Sequence, residues 1–121
     1  MLRSAPIARR TRLKSRIRPA APKRVLDALA ARSGGLCEAR LPGCLGRATD
    51  PCHRVGQAQG GPDTLENLWH GCRACHSWTH QRVAEALDLG LMLRSWQIPE
   101  LEPMAYRNQG WALLGEEVTW L

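Results

Sequence analysis

Every cysteine and every histidine of this chain falls in one stretch, from Cys37 to His80. Five thiols (Cys37, Cys44, Cys52, Cys72, Cys75) and four imidazoles (His53, His70, His76, His80) gather there, and these are the side chains that bind soft metals. The stretch reads C-E-A-R-L-P-G-C, then D-P-C-H-R-V, a glycine-rich loop, L-E-N-L-W, and C-R-A-C-H-S-W-T-H. This crowding predicts two metal sites in one small fold, a closed structural one and an open, chemically active one. The flanking segments are expected to pack against them or to reach a charged partner.

Cys72-x2-Cys75 has the spacing of a zinc half-site, and Cys37-x6-Cys44 is a looser one with a Pro42-Gly43 turn inside it. Four thiolates at about 2.3 Å around Zn²⁺ make a closed tetrahedral site. A chain of 121 residues builds only a thin core, so metal binding is expected to supply part of its folding free energy. C-R-A-C also fits a redox pair, but the strand-helix-strand context of that motif is missing. Ordinary buried cysteine is the other alternative. With no Phe, one Tyr and five Trp, the tryptophans are expected to supply most of the aromatic burial.

The net charge of +6 is unevenly spread. Residues 1–24 hold nine Lys/Arg and no acid, whereas the remainder carries more acid than base. Residues 1–21 alternate basic, small and proline residues and are expected to form a flexible arm, either merely solvated or binding a polyanion. Arg9, Arg10, Arg12, Lys14, Arg16 and Arg18 are its candidate nucleic-acid contacts. No apolar run approaches the ~20 residues of a membrane span. No secretory core is visible either, since basic residues continue to Arg24 and Asp27 interrupts the short apolar run around Val25 and Leu29. A cytoplasmic, reducing location is therefore expected, where close cysteines favour metal over disulfide.

Residues 22–121 are expected to form a single α+β domain. A helix over 22–33, with Lys23, Arg24 and Arg32 facing out, should stop at Gly34-Gly35. Strands are expected at Leu36–Ala39 and within Ala48–Val55, the second delivering Cys52 and His53. Asp63 or Thr64 should cap a single turn through Leu68. A helix opening at Cys72 and Cys75 puts His76 and His80 on one face, and a further helical stretch runs to Gly90. Beyond it, a strand at Leu91–Trp96 and a hairpin of 111–114 with 118–121 are expected to serve packing.

The order of these motifs resembles the HNH nuclease family, the ββα-metal or His-Me finger fold. The run C-E-A-R-L-P-G-C…H-R-V…Q-G-G…N-L…C-R-A-C-H-x-W is similar to small bacteriophage HNH endonucleases that carry four zinc-binding cysteines. The resemblance covers roughly residues 36–95, with residues 96–121 as a β extension. It implies a zinc-stapled domain that hydrolyses DNA with a divalent ion (Mg²⁺, Mn²⁺, Ni²⁺ or Zn²⁺). It also implies a phage or prophage source and a place beside the packaging terminase. Under it Cys37, Cys44, Cys72 and Cys75 hold structural zinc, His53 is the general base, and His76 is a catalytic metal ligand. Asn67 holds the loop and orients the His53 ring, and His80 is either an additional ligand or a surface histidine. A neutral imidazole is well matched to take a proton from water near pH 7.

Cys52 departs from the family pattern, which has His or Asp before the base as a metal ligand. It is a soft-metal ligand, a bystander, or the mark of an impaired site. Arg54 and Arg73 are candidate phosphate contacts. His70 is read as structural and Trp78 as core. The alternative function is a non-catalytic zinc module that binds nucleic acid. A zinc nucleobase deaminase is disfavoured because neither H-x-E nor P-C-x-x-C occurs.

Overall fold

The computed structural model describes residues 20–121; the arm residues 1–19 lie outside the described residues. The chain is a small mixed α+β structure. Helix α1 (Lys23–Ser33) follows Pro22 as its N-cap and ends at Gly34, whose φ of 66° lets its N–H return to the Ala30 carbonyl. A left-handed residue after the last turn is the usual role of glycine there. Val25 and Leu29 of α1 pack with Leu68 and the half-buried Leu65, which fixes the helix against the centre of the fold.

Strand β1 (Asp50–His53) pairs antiparallel with β2 (Leu68–Gly71), in a register that sets Cys52 opposite Trp69 and His53 opposite Leu68. Helix α2 (Arg73–Gln81) comes at once after β2, with Cys72 as its N-cap, and α3 (Val83–Asp88) comes next. The order is therefore hairpin, then helix. A second, three-stranded antiparallel sheet closes the chain in the order β3 (Met104–Tyr106), β4 (Gly110–Leu114), β5 (Val118–Trp120). Its inward residues Met104, Tyr106, Ala112 and Leu114 share one core with Cys52, Trp69, Cys72 and Cys75. No helix among the described residues is long and apolar enough to cross a membrane.

Several expectations change. Leu36–Ala39 is not a strand; a single bridge joins Leu36 to Arg47, because the chain turns back on itself through the cysteine knuckle. Leu91–Trp96 is irregular, its backbone tied by Leu93 N–H to the Arg54 carbonyl. Of the tryptophans only Trp69 is fully buried, its indole N–H donating to Leu91, while Trp96 is 74% exposed. Trp69, the half-buried Trp78 and Tyr106 are the aromatic part of the core, and aliphatic and sulfur side chains fill the rest.

Arg32 does not face out. Its guanidinium grips both oxygens of the buried Glu38 (2.9 and 2.8 Å) and donates to the carbonyls of Leu65, Leu68 and Gly115. Glu38 also accepts from the Tyr106 hydroxyl and the His70 backbone N–H. A buried charge is tolerated only when paired and fully hydrogen-bonded. Here the pair ties α1, the knuckle, β2 and β3 together.

A candidate four-cysteine metal centre and a histidine cleft

The segment from Cys37 to Cys44 is a tight turn. Cys44 N–H reaches the Leu41 carbonyl, Cys37 N–H reaches Gly46, and Gly43 and Gly46 adopt φ of 83° and 89°. The turn lays Cys37 and Cys44 against the start of α2. There the sulfurs of Cys37, Cys44, Cys72 and Cys75 all lie within 4.8 Å of one another. Four sulfurs at about 2.3 Å from a tetrahedral zinc stand about 3.8 Å apart, and Cys72 Sγ is 3.8 Å from Cys44 Sγ.

Backbone donors point at these sulfurs. Leu45 and Cys75 N–H face Cys72 Sγ, and Gly46 N–H faces Cys44 Sγ. Burial opposes ionisation of Cys72, but those donors and the neighbouring thiols outweigh it and bring its pKa to about 7. N–H groups aimed at sulfur favour the thiolate, which is the form that binds metal. The four cysteines form a cluster that can hold a structural metal such as zinc.

Beyond the clamp, β1 and α2 frame a cleft of about 490 Å³ whose walls include His53, His76, His80, Gln57 and Met92. Ala20 and Ala21, where the described chain begins, also line it. His53 ends β1, and its Nε2 lies 2.7 Å from Asp63 Oδ1. His76 and His80, one turn apart on α2, bring their ring centroids within 5.1 Å. His76 Nδ1 lies 2.9 Å from Asp50 Oδ2 on β1. Asp50 also accepts from Thr49 and from Arg73 Nε. Burial pushes the Asp50 carboxyl up, but the bonds from His76, Thr49 and Arg73 outweigh it and hold it below its ordinary range.

Asn67 is fully buried in the loop between the strands. Its Oδ1 accepts from Val55 N–H (2.8 Å), and its Nδ2 donates to the carbonyls of Val55 and Pro62 (3.0 Å each). Gly61 must be glycine, since a Cβ there would enter the Val55 carbonyl. Asn67 thus holds the loop, but none of these bonds goes to His53. The ring is held by Asp63, at the end of the segment that Asn67 fastens.

Cys52 does not join the histidines. Successive residues of a strand point to opposite faces. Pro51 and His53 line the cleft, while Cys52 is 1% exposed among Trp69, Cys37 and Cys72 in the core. Burial pushes its thiol well up, so it is a neutral core group. Among the described residues, the four cysteines are the group that brings three or more ligand atoms within 4.8 Å. His76 and His80 supply two imidazoles to the cleft, and Cys52 is not a third ligand.

Arg54 is also displaced from its expected role. It is 1% exposed and donates to the carbonyls of Gly90, Glu66, Pro99, Glu102 and Pro103. Burial lowers its pKa to about 10, which leaves it charged at neutral pH. It clamps the crossing of the chain's two halves and cannot meet a phosphate. The Arg73 side chain, by contrast, is 76% exposed beside the cleft. His70 is satisfied structurally by Ser33 Oγ at 2.7 Å, and Trp78 packs half-buried against the core.

Sequence reading misses that Asp50 and Asp63 hold the cleft histidines: it does not single out Asp50, and Asp63, one of two expected caps, meets His53 instead. Asp50 had a local signal, a carboxylate on the strand that carries His53. Asp63 is ten residues from its partner, and only the loop fold joins them. Comparison with protein-family models, with curated proteins and with solved structures finds no match.

Proposed function

We propose that this chain is a metal-dependent endonuclease of the HNH type, hydrolysing DNA phosphodiester bonds. The observation that carries the reading is the carboxylate-held His53, which faces the same cleft as the His76–His80 pair. That cleft is built on a hairpin and helix whose ends are drawn together by four cysteines.

Asp63 can only accept a hydrogen bond as a carboxylate, so His53 Nε2 carries the proton and Nδ1 holds the lone pair. Nδ1 takes a proton from water as the water oxygen attacks phosphorus, and the bond to the 3′ oxygen breaks. His76 and His80 would hold a divalent ion with positions left open. When bound, that ion supplies charge stabilisation at the phosphoryl and leaving oxygens. Arg73 at the cleft rim and the cations of the N-terminal arm, which joins the cleft wall at Ala20, would carry the DNA backbone by salt-sensitive contacts. A phage or prophage origin and a role beside a packaging terminase belong to the same proposal.

The test is nicking of supercoiled plasmid with Mg²⁺, Mn²⁺, Ni²⁺ or Zn²⁺ supplied in turn. The wild type is expected to nick with at least one ion, and His53→Ala to lose nicking while keeping its zinc and its circular dichroism. Failure to nick with any of the four ions, or equal cleavage by His53→Ala, rules the reading out. The inward turn of Cys52 favours a second reading, a zinc-stabilised DNA-binding module without catalysis. It predicts salt-dependent DNA binding and intact plasmid under every ion.

A further inference from the structure

We infer that Asp50 is a positioning residue that locks His76 in its Nδ1–H tautomer, so that Nε2 is the ring atom His76 offers to the cleft. The role of His76 there rests on the nuclease reading; the tautomer does not.

Asp50 sits on β1, and His76 on the first turns of α2, so their contact crosses from strand to helix. The carboxylate is fixed from three sides. Thr49 Oγ1 donates to Oδ1 at 2.8 Å, Arg73 Nε donates to Oδ2 at 2.9 Å, and His76 Nδ1 stands 2.9 Å from Oδ2. A guanidinium is always protonated and a carboxylate paired with it has no proton to give. The ring nitrogen that faces Oδ2 must therefore be the donor.

A neutral imidazole has one N–H and one lone pair, so donation from Nδ1 places the lone pair on Nε2. An unconstrained imidazole prefers the opposite arrangement. The backbone register that sets Asp50 opposite Gly71 puts the carboxylate beside the N-terminus of α2, where no other acid among the described residues lines the cleft beside His76. A histidine whose far nitrogen is held by a carboxylate is oriented and made more basic as a metal ligand. His53 is held by its other nitrogen, Nε2, through Asp63. The two rings thus present opposite nitrogens to one cleft, which separates a proton acceptor from a metal ligand without any difference in residue type.

The test uses the full-length, zinc-loaded protein with ¹⁵N-labelled histidine, above the pH at which its imidazoles are charged. Long-range ¹H–¹⁵N spectra are expected to show His76 as the Nδ1–H tautomer, and Asp50→Ala is expected to move it to Nε2–H. His76 found as Nε2–H in the wild type overturns the inference by itself, so the result does not depend on the variant folding. An unchanged His76 tautomer in folded Asp50→Ala overturns it too. A second readout is Mn²⁺ titration, followed by broadening of the His76 and His80 ring signals. Asp50→Ala is expected to weaken it by about 10–100-fold, and equal broadening in both proteins counts against the inference. Nicking by a wild type with the wrong tautomer removes Asp50's role and leaves the nuclease reading. The right tautomer in a protein that nicks nothing removes the nuclease reading and leaves the pairing.

Discussion

Asn67→Ala isolates what the inter-strand loop contributes. The substitution deletes three hydrogen bonds, one accepted from Val55 N–H and two donated to the carbonyls of Val55 and Pro62. The two donated bonds contribute about 1 kcal/mol each net. The Val55 N–H, left buried without an acceptor, costs about 1–3 kcal/mol in place of its own bond. A loss of about 3–5 kcal/mol is a large part of the ~5–15 kcal/mol that holds a domain together. It is local, however, since the four-cysteine clamp and the Arg32–Glu38 pair are untouched.

The expected result is therefore an opened loop on a standing fold. Urea unfolding should show a loss of about 3–5 kcal/mol, and hydrogen exchange should show Val55 losing protection well before Trp69 does. Asp63 would leave His53, and nicking would fall with it. Asn67→Asp should be no milder, since it keeps the acceptor for Val55 but sets an oxygen against two carbonyls. A loss below about 1 kcal/mol with Val55 still protected would refute the reasoning, because it would mean that other groups hold the loop.

Three further outcomes rest on the same geometry. The protein should carry one zinc per chain, and a strong chelator should abolish its near-ultraviolet dichroism, since apparent zinc-binding energies of about 10–16 kcal/mol rival total stability; native dichroism after zinc removal would dismiss a structural role. Arg54→Met should cost more than about 4 kcal/mol by stranding five carbonyls in the interior, whereas Arg73→Met on the surface should cost about 1 kcal/mol or less; equal denaturant midpoints would contradict the placement of both. Cys52→His puts an imidazole into a space bounded by Trp69 and Gly71, so it should lower the melting temperature without widening the range of active metals; a wider range at wild-type stability would return position 52 to the cleft.

The elements that were legible in the sequence carry their own local chemistry. Gly34 stops α1, Cys72 opens α2, and the Gly115 turn joins β4 to β5, each through backbone geometry that a few neighbouring residues decide. The four cysteines were legible for the same reason, because C-x2-C and a Pro-Gly turn are local devices that need only to meet. Strand β2 was not. Leu68-Trp69-His70-Gly71 has no alternation to betray it, and it is buried on both sides by α1 and the core. The arginines failed in another way. A charge reads as surface in any sequence, and nothing near Arg32 or Arg54 in the chain announces that Glu38 or five distant carbonyls will receive it. Cys52 shows the same limit most sharply. Its place before His53 suggested a shared site, yet adjacency in a strand is what separates two side chains. His53 can face the cleft only if Cys52 faces the core. The residue on the Cys52 side that does reach α2 is Asp50, two positions earlier, and its partner is His76. The two histidines His53 and His76 are therefore held by two aspartates, Asp63 and Asp50, to which the sequence reading assigns no such role.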